Sequence, residues 1–184
     1  TNIFIKLVNK YANDSAMAND MWLELFTKYA EPSRQYHNMS HLEFMYENLV
    51  EVKKNINAWD TTLFSLFFPD SIYKASSSSN EEESAKWAIC KLKSISFPKE
   101  KIDKCVAMIL ATKTHQQNQD EDTNYLLDAD LAILGVHPEK YQQYAEAIRE
   151  EYTMYPDFLY NSGRRKVLQQ FLTSENIYKT DFFR

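Results

Sequence analysis

The chain has 184 residues, enough for one domain with a sizeable apolar core. Its two glycines and five prolines exclude a hairpin-rich fold, because glycine supplies the positive-φ turns that such folds need. The net charge of −5, from 21 basic and 26 acidic residues, excludes a general nucleic-acid binder, which needs a basic face. A small phosphorylated ligand in one local pocket is still compatible with this charge.

The first helices are marked by apolar residues at helical spacing over 3–11 and 21–29. The break at Asn13-Asp14-Ser15 can cap the second of them. Ser40 and Glu43 have the spacing of a capping box, in which each side chain bonds the backbone amide of the other. We therefore expect the third helix to begin with His41 as its first residue.

The middle of the chain contains a short, almost wholly apolar run that ends at Phe68. We expect Asp60 to cap this helix and the helix to be buried, since it is apolar on all sides. The serine-rich segment 74–79 is of low complexity, and we expect it to be an irregular, mobile loop. We expect Asn80 to cap the next helix, whose first turn contains Glu81 to Glu83, three carboxylates that the helix dipole favours there.

The second half of the chain continues the helical pattern, with a start at Pro98 and another at Pro138. A short helix over 125–134 is ended by Gly135, and a last helix carries Phe158 to Phe171. Together these segments predict an all-α bundle of eight or nine helices, with residues 1–184 forming one domain.

Cys90 and Cys105 show neither a CxxC motif nor zinc-ligand spacing, so we expect both to be reduced. No apolar stretch approaches the length of a membrane span, and no secretory leader is evident. We therefore expect an intracellular, cytoplasmic protein without a membrane partner.

Seven short sequence words follow one another along most of the chain. They are Arg34-x-Tyr36-His37-Asn38-x-x-His41, Pro69-Asp70-x-x-Tyr73, Asn80-Glu81-x-x-Ser84-Ala85, Thr112-x-x-His115, Leu127-Asp128-Ala129-Asp130-Leu131-Ala132-Ile133-Leu134-Gly135, Ile148-Arg149-x-Glu151-Tyr152, and Gly163-Arg164 with Val167-Leu168. In this order they resemble the predicted metal-dependent phosphohydrolases of the HD superfamily, from about Arg34 to the C-terminus.

The resemblance implies an all-helical domain in which a His-Asp doublet, a flanking His and a distant Asp bind one or two divalent metals. In that family the metal activates a water that attacks a phosphoester, typically of a nucleotide. Carried over to this sequence, His41 is the first ligand, Asp70 the aspartate of the doublet and Asp130 the last ligand. Asp128 is a rival to Asp130, and Pro69 stands where the histidine of the doublet is expected.

Pro69 changes the expected metal chemistry, because proline offers no lone pair to a metal. His41, Asp70 and Asp130 still provide three ligands, and His37 or His115 can substitute for the missing imidazole. The larger share of oxygen ligands favours Mg²⁺, Mn²⁺ or Co²⁺ over Zn²⁺. The alternative is that the chain binds no metal at all.

Further candidates surround these ligands. Asp70 and Glu81 are the candidate catalytic residues that would handle the proton. The candidates for binding the phosphorylated substrate are His115, Lys113, Arg149 and Arg164. An ordinary salt bridge is the alternative for the arginines and lysine, and the tyrosines at 141, 144 and 152 are expected to be core.

Two functions follow from these expectations. The first is a pseudoenzyme that keeps the HD fold as a binding or scaffold module, for a small phosphorylated molecule or a protein partner. The second is an active metal-dependent phosphohydrolase, acting on a nucleotide or another small phosphoester through a modified site. Pro69 favours the first.

Overall fold

The computed structural model describes residues 2–12 and 14–184, and within these ranges every regular element is a helix. The prediction of an all-α protein is therefore confirmed. Two 3-10 turns, Lys53–Asn55 and Ala132–Gly135, accompany nine α-helices in the described residues. These are α1 Asn2–Ala12, α2 Ser15–Tyr29, α3 Met39–Glu51, α4 Trp59–Phe67, α5 Asn80–Ser94, α6 Lys99–Ala111, α7 Glu121–Leu131, α8 Pro138–Glu151 and α9 Asp157–Thr173.

Helix α4 is the centre of the core, as its uniformly apolar sequence predicts. Every residue from Thr61 to Phe67 is buried, and the helix packs against α1, α3, α6 and α7. Phe4 of α1 contacts it edge-on, with its ring centroid 5.0 Å from that of Phe67. Aromatic pairs in this geometry stabilise a core beyond the apolar area that they bury. The end of α4 is therefore a rigid base for Asp70.

The start of α3 differs from the predicted capping box. Asn38 is the cap, since its side chain accepts from the Ser40 amide at 2.9 Å, while Glu43 is exposed. The helix consequently begins two residues earlier than expected, and His41 is its third residue. Asp14 does cap α2 as predicted, through the amides of Ala16 and Met17, whereas Asn13 lies outside the described residues.

The start of α4 also differs from the prediction. Asp60 bonds Lys10 and Tyr11 of α1 instead of capping its own helix. The amides of Asn57 and Ala58, just before α4, donate to the carboxylate of Asp122 at 2.8 and 2.9 Å. These amides precede the first residue of α4, so Asp122 of α7, 64 residues further along the chain, holds the segment that leads into the helix.

The last part of the chain is less tightly packed. Helix α9 has no buried residue, and the tail after it returns to the body. There the buried Asp128 accepts from the amides of Lys179 and Thr180 and from the Thr180 hydroxyl. Over the part of the chain that the structure describes, no helix combines the length and the apolar character that crossing a membrane requires.

Candidate functional site

A cavity of about 1160 Å³ lies between the core helices and α9. Its wall is formed by the segment before α3, the end of α4, the start of α5, the turn after α6, the 3-10 turn after α7, and α8, α9 and the tail. The candidate residues that line it are His37, Asp70, Glu81, Lys113, His115, Asp130 and Arg164. The cavity therefore gathers side chains that lie far apart in the sequence.

Asp70 and Asp130 lie at the floor of this cavity, and the buried His41, which does not line it, lies behind them. The Nε2 atom of His41 lies 3.3 Å from Oδ1 of Asp130 and 3.7 Å from Oδ2 of Asp70. His115 joins them, with its Nε2 atom 2.8 Å from the other oxygen of Asp130. Three of the predicted ligands, His41 of α3, Asp130 of α7 and Asp70 in the turn after α4, thus form one cluster with the candidate substitute His115. We call these four residues the floor cluster.

His41 is the most unusual member of the floor cluster. Its side chain is 1% exposed, yet neither ring nitrogen has a hydrogen-bond partner in the described residues. A buried polar atom without a partner is costly, and such atoms are rare in native proteins. A divalent cation between Nε2 of His41 and the two carboxylates would give this nitrogen a partner.

The distances in the floor cluster bear on that fit. Two ligand atoms at about 2.1 Å from a shared metal stand roughly 3.0 to 3.4 Å apart. The His41–Asp130 distance lies within this range, and the His41–Asp70 distance is a few tenths of an ångström longer. Within the described residues no group of three or more His, Cys, Asp or Glu side chains is arranged to hold a metal ion. Binding would therefore require Asp70 to move closer.

The carboxyl of Asp130 is ionised although its surroundings are largely buried. Burial by itself raises the pKa of its carboxyl, but the imidazoles of His115 and His41 outweigh this and hold the pKa well below its usual range. His115 is presented to it by a left-handed backbone conformation, with φ of 50°. A non-glycine residue adopts that conformation at a cost in free energy, so the surrounding structure must hold it there.

Pro69 has a clear structural place beside the floor cluster. It is buried and is the second residue of the turn from Phe68 to Ser71, in which the Ser71 amide donates to the Phe68 carbonyl at 3.0 Å. Proline fixes φ at the value that this turn position requires. Pro69 therefore shapes the turn that presents Asp70, although it offers the cluster no ligand atom.

His37 is held by a carboxylate that the sequence analysis did not single out as a site residue. The buried Glu151 accepts from the amides of Tyr36 and His37 at 2.8 Å each, and from Nδ1 of His37 at 2.6 Å. The Tyr73 hydroxyl donates to it at 2.8 Å. Glu151 thereby fixes the His37 ring and leaves only its Nε2 atom free of this carboxylate. The sequence word Glu151-Tyr152 was the one signal for this residue.

Glu151 and His37 carry opposite charges, and each shifts the pKa of the other. Burial raises the pKa of Glu151, but the hydrogen bonds from His37 and from the backbone outweigh this and lower it to about 2. Burial likewise opposes the charging of His37, while the hydrogen bond to Glu151 raises its pKa above the usual value. The segment before α3 is therefore anchored by an ionised pair.

Arg34 is a second residue that the sequence analysis missed as part of the site. Its buried guanidinium donates to the carbonyl of Asp70, and also to the carbonyls of His37 and Ser71 at 3.3 and 3.4 Å. It thus ties the turn after α4 to the segment before α3. These bonds go to backbone carbonyls, which no sequence pattern marks.

Lys113 and Glu81 lie at the rim of the cavity. Lys113 pairs with Glu82, donates to the Ser78 carbonyl at 2.6 Å and lies 4.0 Å from Glu81. The segment 74–79 is irregular, as predicted, and Asn80 bonds the amide and the carbonyl of Lys74 across it instead of capping α5. Lys113 is therefore already paired, which weakens its candidacy for holding a phosphate.

Two other candidates lie away from the cavity. Arg149 bonds the carbonyls of Tyr152 and Tyr155 and the carboxylate of Asp157, so it connects α8 to α9. Asp128 does not line the cavity, because the backbone of the tail occupies its carboxylate. Asp130 is consequently the aspartate of that pair at the site, and Arg164 is the arginine that lines it.

The tyrosines at 144 and 152 were expected to be core residues, but they are half-buried and line the cavity. The Tyr144 hydroxyl accepts from Arg164 at 2.7 Å, and its ring lies 4.6 Å from the ring of Tyr36. Tyr144 of α8 thereby holds Arg164 of α9 at the cavity wall. An aromatic wall with a fixed guanidinium can bind a ligand that is partly anionic and partly apolar.

No family model matches the chain, and searches of curated proteins and of solved structures likewise give no match. The HD resemblance of its sequence words is therefore a hypothesis to be weighed against the geometry of the site.

Proposed function

We propose that this protein is an HD-type, phosphohydrolase-like binding module whose metal site is degenerate, with little or no turnover. It would bind a small phosphorylated molecule in the cavity and act as a binding or scaffold protein. The observation that carries this proposal is the floor cluster, where His41 and Asp130 of two helices meet Asp70 of the turn after α4. The turn that holds Asp70 contains Pro69 where the family has an imidazole.

His41, Asp70 and Asp130 would hold the metal, and their donor atoms decide which one. One nitrogen and carboxylate oxygens suit Mg²⁺, Mn²⁺ or Co²⁺ better than Zn²⁺. The unpartnered nitrogens of His41 and the ionised Asp130 support this fit. A divalent metal, when bound, supplies Lewis acidity towards a phosphoryl group.

The other residues of the cavity would bind and orient the ligand. Arg164 lines the wall and can donate to a phosphate through nitrogens that Tyr144 leaves free. Glu81 lines the cavity and is, with Asp70, a candidate to take up a proton. His37, oriented by Glu151, offers one ring nitrogen to the ligand. These groups suffice for binding, whereas efficient hydrolysis would require a better-held metal.

An active phosphohydrolase is the second candidate, and one observation favours it. His115 lies 2.8 Å from Asp130 and supplies a second imidazole to the floor cluster. If His115 takes the place of the doublet histidine, which is Pro69 in this chain, then the cluster has four ligands. Turnover would then depend on Asp70 and Asp130 together with His115.

Metal content and phosphatase activity of the same preparations separate these candidates. The bound metal is quantified in the purified protein, and hydrolysis of p-nitrophenyl phosphate and nucleoside monophosphates is measured with added Mn²⁺, Mg²⁺ or Co²⁺. The binding-module proposal expects little or no turnover in the natural chain and a gain of at least about tenfold in Pro69→His. Pro69→Ala is the matched control, since it removes the proline without adding an imidazole.

The opposite result is equally clear. Stoichiometric metal and turnover in the natural chain, abolished by both Asp70→Ala and His115→Ala, would overturn the binding-module proposal in favour of the active enzyme. A gain in Pro69→Ala equal to that in Pro69→His would show that the imidazole is not the missing element.

A further inference from the structure

The cavity extends well beyond the floor cluster, and part of its outer wall is apolar. Its wall contains Leu134 after α7, Ile148 of α8, Leu159, Val167 and Phe171 of α9, and Ile177 of the tail. The side chains of Leu159 and Val167 are 51% and 43% exposed, although they face the cavity. The protein itself leaves this apolar surface uncovered.

Helix α9 faces the cavity with a single side. Leu159, Gly163, Val167 and Phe171 are spaced by four residues, so they lie on one face of the helix, and all four line the cavity. A Cβ atom added at Gly163 would have no heavy atom within 4 Å, so space is open beneath the middle of the helix. The apolar face of α9 therefore stands over an open space and not against the core.

The polar and apolar parts form one continuous cavity. At one end are the unpartnered His41 behind Asp70 and Asp130, and at the other is the aliphatic wall under α9. Its volume of about 1160 Å³ exceeds the range of roughly 300 to 1000 Å³ that is usual for small-molecule sites. A ligand that suits both ends has a polar head and a sizeable apolar body.

We propose that this cavity binds an amphiphilic phosphoester, with its phosphate at the floor cluster and an aliphatic chain under α9. The phosphate part rests on the proposed function, whereas the aliphatic part rests on the apolar wall alone. A nucleoside is a poorer fit, since the hydroxyl and ring-nitrogen groups of its sugar and base would lose their water against Leu159, Val167 and Phe171.

Calorimetric titration with n-alkyl phosphates from butyl to decyl, kept below their micelle concentrations and in the presence of Mn²⁺, tests this ligand class. We expect the affinity to rise about threefold to fourfold for each methylene that enters the apolar part. Octyl phosphate should bind more tightly than adenosine monophosphate, which has the same phosphate head.

A matched pair of variants on α9 locates the binding site. Val167→Gln changes the face over the cavity and should weaken octyl phosphate binding about tenfold. Leu172→Gln lies on the same helix, where Leu172 is 77% exposed and does not line the cavity, and it should leave the affinity unchanged. Neither residue is buried, so both variants should keep the fold.

Each contrary outcome has a distinct meaning. An affinity independent of chain length, tighter binding of adenosine monophosphate, or equal losses in the two variants would overturn the proposal. Octanol, which lacks the phosphate, tests the apolar site separately from the proposed phosphate-binding function. If octanol binds as tightly as octyl phosphate and with the same dependence on Val167, then the apolar site is supported and the phosphate function is not.

Discussion

Glu151 shows how a single buried residue organises the site. Its carboxylate accepts from two backbone amides, one imidazole and one phenol, so that both oxygens are satisfied. A buried carboxylate is tolerated only with such partners, because it loses its hydration on folding. The segment that carries His37 and leads into α3 is consequently fixed to the end of α8.

The ion pair of Glu151 with His37 predicts how the free energy of unfolding depends on pH. The pKa of Glu151 is lowered from 4.5 to about 2 in the folded protein, so its contribution is complete above about pH 4.5 and is lost as the pH falls towards 2. Glu151→Gln should be less stable at neutral pH. Between about pH 5 and pH 2, the natural protein should lose about 3 kcal/mol more than this variant in urea unfolding.

Glu150→Gln is the control for this measurement, since Glu150 is the exposed neighbour on the same helix. Its stability profile should run parallel to that of the natural protein. A Glu151→Gln profile that does the same would contradict the ion pair with His37.

At the residue scale, the structural role of Pro69 could not be predicted from the sequence. The sequence shows a missing imidazole, but it cannot show that the proline occupies the second position of the turn from Phe68 to Ser71. Arg34 is a similar case, because its partners are carbonyls of residues about 36 positions away. Interactions with distant backbone atoms leave no pattern in the side chains.

At the scale of helices, the segment that leads into α4 is held by α7. The carboxylate of Asp122 is 1% exposed, accepts from the amides before α4 and pairs with Lys104 at 2.7 Å. Removing it leaves two amides and a partly buried ammonium without this partner. We expect Asp122→Ala to lower the free energy of unfolding by about 3 kcal/mol, measured by urea denaturation.

Glu121→Ala is the matched control, because Glu121 is the exposed preceding residue of α7. It should change stability by less than about 0.5 kcal/mol. Similar losses in the two variants would mean that Asp122 stabilises only its own helix.

The outcomes for helix starts follow from the range of the interactions involved. Asp14 caps the helix that directly follows it, and this could be predicted from adjacent residues. Asp60 could not be assigned correctly, since its partners, Lys10 and Tyr11, come from α1, far away in the sequence. The number and order of the helices follow from apolar spacing, whereas their contacts depend on the tertiary structure.

At the scale of the whole molecule, burial is distributed unevenly. The core extends from α1 to α7, while α9 contributes no buried residue. The candidate ligands could be named from the sequence because short words carry them. The cavity and its apolar wall could not, because they arise from the distance at which α9 lies from the core.

This uneven burial predicts a gradient of local stability. Amides of α9 over 157–173 should exchange hydrogen by local opening, at least about tenfold faster than those of the buried α4. Hydrogen exchange followed by mass spectrometry resolves the two segments. Equal protection of α9 and α4 would mean that the whole protein opens as one unit.

Both ends of α9 are nevertheless tied to the body, and this has a calorimetric consequence. Arg149 bonds Asp157 at its start, and Asp128 binds the tail that follows its end. A ligand entering the cavity thus meets a helix already formed, and the free energy otherwise spent on ordering a segment is saved. The heat-capacity change of binding should then be negative and proportional to the apolar surface of the ligand, without the larger contribution of a folding helix.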